Sequence, residues 1–148
     1  YGCLTRICKR AKKEQTMEEV VIKEQEKEEE EYDVQHELIN LFRKTKIKNY
    51  DALVRQLLLK FRSETIMHLI EKENSALVAH VLQTVINGVT TAVWKKESIM
   101  LFLEFFYMEE NPQKLDRIKI IEQKYKSNYM LLFNNLKRKY SDSKFFSP

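Results

Sequence analysis

The sequence predicts an all-α protein, either a helical bundle or a short α-solenoid of the HEAT or armadillo kind, with about five helices. Three observations predict it. Only 2 Gly and 2 Pro occur among 148 residues, which leaves few positions for turns. Apolar residues recur at intervals of three and four along most of the chain, as in amphipathic helices. Hydrophobic residues make up 43% of the chain, enough to form a core.

Charge is divided into blocks of alternating sign. The formal net charge is +4, with +4 over 1–15, −8 over 16–37, +6 over 38–62, −4 over 63–111 and +6 over 112–148. Exposed ion pairs stabilise a fold by only about 0–1 kcal/mol each. We therefore expect the blocks to affect orientation and partner choice, by pairing with each other or by docking on separate partners.

Residues 1–15 form a basic arm. Its Lys and Arg residues, with no acid over 1–13, are typical of the cytosolic side of a membrane boundary, where they would meet anionic lipid. Cys3 and Cys8 are then candidate lipidation sites, and no nearby Cys or His pair completes a zinc site around them. The alternative is a disordered basic tail. Because the chain begins with Tyr1, we interpret it as part of a longer protein, in which a preceding transmembrane helix would support the membrane interpretation.

An acidic linker, helical or disordered, is predicted over 16–33. Its apolar residues do not continue over the three or four heptads that a coiled coil requires. No D-x-D-x-D-G loop arranges its carboxylates for calcium. Together with the basic arm, this segment makes up a charged N-terminal extension.

The helical domain is predicted over 34–140. One face of its first helix is apolar, with Val34, Leu38, Leu41 and Phe42. Asn49 or Asp51 is expected to cap the second helix. The pattern then leaves two alternatives open: a single helix over 52–73, or two helices with the second one starting at Ser63.

The stretch from Ser75 to Met108 is the longest one poor in charge, and we expect the rest of the chain to pack around it. Ser75 is predicted to cap a buried helix whose apolar stripe continues to Val93. Gly88 then lies inside that helix, where close approach of a neighbouring helix would explain it. The β-branched residues after it leave a strand as a minor alternative. Trp94 is expected as a core or interface anchor whose indole N–H donates to a carbonyl.

Residues 97–108 are apolar on nearly every side, so this helix is either enclosed by neighbours or covered by a partner. It falls short of the roughly 20 apolar residues that a bilayer requires. Its aromatic side chains are therefore candidate partner contacts if the neighbouring helices leave them uncovered, and core residues if they do not. These side chains are Phe102, Phe105, Phe106 and Tyr107.

After the break at Pro112, one long amphipathic helix is predicted from 115 to 140. Its polar face is basic and forms a candidate electrostatic surface for a partner. The residues named for this surface are Lys126, Lys137, Arg138 and Lys139. Residues 141–148 are predicted as a tail, and Phe145 and Phe146 suggest that the tail docks.

Two short segments resemble each other. Glu-Thr-Ile-Met at 64–67 matches Glu-Ser-Ile-Met at 97–100, at an offset of 33 residues. This spacing is typical of helical-hairpin repeats and favours the solenoid, although chance similarity between two helix starts explains it equally well.

No catalytic, cofactor or metal site is predicted. The sequence has no Gly-rich phosphate loop, no nucleophile elbow and no H-E-x-x-H. His36 is expected at the surface, and His80 at the edge of the core. His68 and His80 are too far apart to form a ligand pair, so an enzyme with a dispersed site is the least favoured class.

The favoured function is a non-enzymatic protein–protein interaction or scaffold domain. It would be cytoplasmic, as the cytosolic part of a membrane-associated protein that meets an anionic membrane surface through 1–13, or as a subunit of a larger complex. A protein partner is expected, and no cofactor or small-molecule substrate is inferred. The alternative is a nucleic-acid-binding helical domain that uses the basic blocks 38–62 and 112–148. The acidic block 16–37 and the absence of a nucleic-acid-binding motif count against it.

Overall fold

The structure is a computed structural model that describes residues 33–147. This part of the chain contains seven α-helices and two 3-10 helices. The α-helices are α1 (33–44), α2 (Asp51–Lys60), α3 (Ser63–Ile70), α4 (Ser75–Asn87), α5 (Lys96–Glu110), α6 (Ile118–Tyr125) and α7 (Tyr129–Lys139). The 3-10 helices are Val89–Thr91 and Pro112–Arg117. No strand occurs within residues 33–147, which confirms the all-α prediction for this part. The predictions for the arm 1–15, with Cys3 and Cys8, and for nearly all of the linker 16–33 lie outside the described residues.

Helix α5 is the centre of the unit Val34–Pro148. It packs against α3, α4, α6 and the 3-10 helix Pro112–Arg117. Its buried side chains belong to Ser98, Ile99, Leu101, Phe102, Leu103, Phe105, Phe106 and Tyr107. The nearly uniform apolar character of 97–108 therefore reflects enclosure by this chain's own helices, one of the two alternatives that the sequence left open.

An aromatic cluster fills the space around α5. Four rings contact Phe102, with centroid distances of 5.2 Å to Trp94, 5.9 Å to Phe106, 5.4 Å to Phe133 and 5.7 Å to Phe145. The Trp94 indole N–H donates to the Val89 carbonyl at 2.8 Å, as predicted. Because the indole is buried, its N–H group would cost free energy if it had no acceptor, and this bond supplies one.

The first two helices follow their apolar pattern. The predicted face of α1 is buried, at Val34, Leu38, Leu41 and Phe42. The expected cap of α2 is wrong: no side chain caps this helix, and Tyr50 occupies the cap position. Asp51 is instead the first helical residue, where its charge suits the helix dipole.

The sequence allowed either one helix or two over residues 52–73, and the structure has two. Helix α2 ends at Lys60, and α3 begins at Ser63 after a cap position at Arg62. The Arg62 backbone N–H donates to Glu109 Oε1 at 2.9 Å, and its guanidinium donates to the Met108 carbonyl. The junction between α2 and α3 is therefore bound to the last turn of α5.

Helix α4 differs from its prediction at both ends. Asn74, not Ser75, is the cap: its side-chain oxygen accepts from the Leu77 N–H at 3.1 Å. The helix also ends before Gly88 rather than continuing to Val93, which is 88% exposed. Gly88 has φ +129°, a conformation that side-chain-bearing residues rarely adopt, so its role is to end the helix. The residues after it form a 3-10 helix and not a strand.

The single helix predicted over 115–140 is wrong. Pro112–Arg117 is a 3-10 helix, and α6 and α7 are separated at Lys126–Asn128. Asn128 has an extended backbone (φ −158°), and its side chain accepts from the Leu131 N–H at 3.2 Å to cap α7. This break and the one between α2 and α3 raise the number of α-helices above the predicted five.

The tail docks on the core through Phe145, which is 4% exposed, and Phe146 is half-buried. The Ser143 hydroxyl hydrogen-bonds Glu110 Oε1 at 2.9 Å, and Lys60 Nζ donates to the Ser147 carbonyl at 3.3 Å. These contacts place the Phe145 ring against α5 and the end of α2.

Candidate interaction groove

The aromatic residues named as partner contacts lie in the core. Phe102, Phe105 and Phe106 are 0% exposed and Tyr107 is 3% exposed. This corrects their assignment as partner contacts, which required that the neighbouring helices leave them uncovered. Their rings pack against Phe61, Trp94, Phe133 and the tail instead.

The cations named for an electrostatic surface are all exposed, but they face different surroundings. Lys137 lines a cavity of about 470 Å³ beside the tail and the end of α4. Arg138 Nη2 donates to Asn135 on its own helix, and Lys139 Nζ lies 5.8 Å from the Tyr140 ring. Lys126 follows the end of α6. The structure therefore records no single patch made by these four residues.

An open groove of about 980 Å³ lies beside α5. One wall is α5, and the opposite wall comes from the 3-10 helix Pro112–Arg117 and α6, with His68 of α3 also lining the groove. Its apolar lining consists of Met100, Leu101, Met108, Leu115 and Ile118. Its charged lining consists of Lys96, Glu97, Glu104, Asp116 and Lys119.

The α5 wall is the one strip of this helix that its neighbours leave partly open. Met100, Glu104 and Met108 are half-buried and recur every four residues, so they lie above one another on one helix face. From Lys96 to Met108 the strip extends about 18 Å, or a little over three helical turns. Met side chains are flexible and polarizable, and they adapt to differently shaped apolar partners.

Glu104 is the charged centre of this strip. Its Oε1 atom lies 2.8 Å from His68 Nε2 and 2.8 Å from Lys72 Nζ. An ionised carboxylate can only accept, so His68 donates from Nε2. Burial alone would raise the pKa of Glu104, but the hydrogen bonds and charges of His68 and Lys72 outweigh it. The pKa of Glu104 therefore lies below the ordinary value of 4.5.

Glu104→Gln is expected to lower the free energy of unfolding at pH 7 by about 1–2 kcal/mol, because the neutral amide oxygen accepts more weakly from His68 and Lys72 than the carboxylate does. A folded-state pKa below the unfolded one stabilises the fold above about pH 4.5, and this contribution is lost as the pH falls through the folded pKa. Urea unfolding at pH 7 and at pH 3 should show that the difference between wild type and variant shrinks at low pH. A difference that is constant or larger at pH 3 would contradict this account.

Sequence reasoning missed the groove, although one signal was present: Glu104 is the lone charge in the apolar stretch from Ser98 to Met108. His68 lies 36 positions away in sequence, so no local spacing connects the two residues. His80 is exposed and not at the edge of the core, and His36 is exposed as expected.

Within residues 33–147, no group of three or more His, Cys, Asp or Glu side chains is placed to hold a metal ion. In the same part of the chain, no helix is long and apolar enough to cross a bilayer. Comparison with protein-family models, curated proteins and solved structures finds no match to the chain.

Proposed function

We propose that this chain is a non-enzymatic protein–protein interaction domain that binds an amphipathic helix of a partner in the groove beside α5. The observation that carries the proposal is the partly open strip of Met100, Glu104 and Met108 on the most buried helix of the fold. In a helix whose other central residues are buried, the described chain leaves the apolar side chains of Met100 and Met108 only partly covered. A partner that supplies the missing apolar surface would gain the free energy of burying it.

A helix fits this groove better than an extended peptide does. Extended peptides are usually bound by adding a strand to the edge of a sheet, and residues 33–147 contain no sheet. The walls are themselves helical, so a bound helix would extend the helix-on-helix packing of the domain. The charged residues that line the groove beside its apolar side chains include both Lys and acidic residues. They suit a bound helix whose apolar stripe is flanked by Lys and Glu.

The wider setting of this function is also a proposal. The domain would act in the cytoplasm as a scaffold or complex subunit, with its helices stacked as in HEAT or armadillo repeats. The match between 64–67 and 97–100 agrees with that stacking, and both segments lie at the start of a helix, α3 or α5, as chance similarity between two helix starts would also give. The basic arm 1–13, with Cys3 and Cys8, would hold the protein at the cytosolic face of an anionic membrane.

Selection from a displayed library of random peptides of about 16 residues, the length of four helical turns, tests the function directly. The library would be enriched on the full chain, and the selected peptides would then be compared for binding to a variant with Met100→Glu and Met108→Glu. We expect the surviving peptides to share apolar residues at i, i+3 or i+4, and i+7, and to bind with dissociation constants below about 100 μM. Peptides that lack this pattern, or that bind both proteins equally, would refute the proposal.

A further inference from the structure

A second surface begins on the 3-10 helix Pro112–Arg117, which also supplies part of the groove wall. In a 3-10 helix there are three residues per turn, so residues i and i+3 lie directly above one another. Lys114 and Arg117 are therefore on the same edge of this helix. Leu115 and Asp116 line the groove, and neither Lys114 nor Arg117 does.

The end of α7 brings a third cation to this edge. The Tyr140 hydroxyl accepts from Asn111 Nδ2 at 3.3 Å, which fixes the tyrosine beside the start of the 3-10 helix. Lys139 Nζ lies 5.8 Å from the centre of the Tyr140 ring, and the Lys114 backbone N–H donates to the carbonyl of Asn111, the residue bound to Tyr140, at 3.0 Å. The two lysine ammonium groups are therefore neighbours. Lys114, Arg117 and Lys139, which we call the basic triad, therefore lie close together.

Within the described part of the chain, no carboxylate lies at salt-bridge distance from the basic triad. The salt bridges recorded there involve only Arg62, His68 and Lys72 as cations. The pKa of Lys114 is lowered by its contact with Lys139, by slight burial and by the charges of Lys139 and Arg117, in decreasing order of effect. Three cations held together without a counter-charge repel one another, and an anion placed among them would replace that repulsion with attraction.

We propose that the basic triad binds the phosphate group of a phosphorylated side chain on a protein partner. A phosphate monoester carries a charge of about −1.5 to −2 and three acceptor oxygens, which suits two ammonium groups and one guanidinium better than a single carboxylate does. The inference does not depend on the groove, because it uses a different set of side chains.

Other polyanions match the basic triad less well. A nucleic-acid backbone is bound along a row of cations that follows successive phosphates, whereas the triad is one compact group. Attraction to an anionic membrane takes a cluster of about four to eight Lys and Arg residues. A single phosphoryl group requires only the donors that the triad presents.

The test is a fluorescence anisotropy titration of the full chain with a labelled peptide that has phosphoserine at its centre. Versions with Ser or Glu in place of phosphoserine serve as ligand controls. A triad variant with Lys114→Gln, Arg117→Gln and Lys139→Gln is compared with a charge-matched variant with Lys46→Gln, Lys48→Gln and Arg55→Gln. We expect the triad variant to lose at least about tenfold in affinity for the phosphopeptide, and the charge-matched variant to lose less than about twofold. Inorganic phosphate should compete with the phosphopeptide for binding to the wild type.

Equal losses in the two variants would overturn the proposal, because they would show attraction to overall charge. Binding of the Ser or Glu peptide as tightly as the phosphopeptide would also overturn it. A third outcome would overturn it as well: the wild type does not bind the phosphopeptide, but it binds a single-stranded RNA or vesicles of anionic lipid, and that binding depends on the triad. All three side chains are at the surface or nearly so, and Lys139→Gln alone provides a second test if the triple variant does not fold.

Discussion

Phe145→Ala is expected to lower the free energy of unfolding by about 3–5 kcal/mol, the usual cost of removing a buried phenylalanine ring. The ring is 4% exposed although it belongs to the eight-residue tail 141–148. Its centroid lies 4.8 Å from that of Phe61, 5.7 Å from Phe102, 4.9 Å from Phe105 and 5.1 Å from Phe106. Without it, the cavity would open between the end of α2 and the middle of α5.

The neighbouring residue provides the control. Phe146 is half-buried and contacts one ring, that of Phe106, at 5.9 Å. Phe146→Ala should therefore cost only about 1 kcal/mol. Urea unfolding of both variants measures the difference. Equal losses, or a loss below about 1 kcal/mol for Phe145→Ala, would show that the tail does not contribute to the core.

The second large effect is expected in the groove. Combining Met100→Glu with Met108→Glu should weaken binding of a library-selected helical peptide by at least about 100-fold, or about 2.7 kcal/mol. Two carboxylates would then face the apolar stripe of the peptide, where binding would remove them from water. Isothermal titration calorimetry with the same peptide measures the change.

Met130→Glu is the matched control for this variant. Met130 lies on α7, is 47% exposed and does not line the groove, so the same substitution there should leave the affinity within about twofold. Urea unfolding establishes that both proteins are folded. A similar loss of affinity for Met130→Glu would mean that the peptide binds elsewhere, or that it responds to net charge alone.

The burial of α5 could be predicted because its apolar character is local and nearly uniform over 97–108. The break between α6 and α7 could not, because Tyr125, Tyr129 and Leu132 keep their helical spacing across it. The decisive signal is the cap at Asn128, which a count of apolar intervals ignores. Gly88 was misassigned for a similar reason: the apolar stripe continues beyond the residue where its positive φ ends the helix.

The candidate sites depend on tertiary contacts, which the spacing of residues along the sequence does not predict. Successive residues on a helix point about 100° apart, so the adjacent cations Lys137, Arg138 and Lys139 face different surroundings. Lys139 comes near Lys114 only because the next residue, Tyr140, accepts a hydrogen bond from Asn111 at the start of the 3-10 helix Pro112–Arg117. In the same way, Glu104 appeared in the sequence as an isolated charge, and its partners His68 and Lys72 are supplied by α3 and the residues after it.

The central claim is that a partner helix binds in the groove beside α5, and methyl NMR tests it most directly. The full chain would be labelled with ¹³C at its methionine methyl groups and titrated with the library-selected peptide. We expect the Met100 and Met108 signals to shift together as the peptide saturates the protein, while the Met130 signal stays in place. Saturable binding that shifts Met130 and leaves Met100 and Met108 unchanged would contradict the claim.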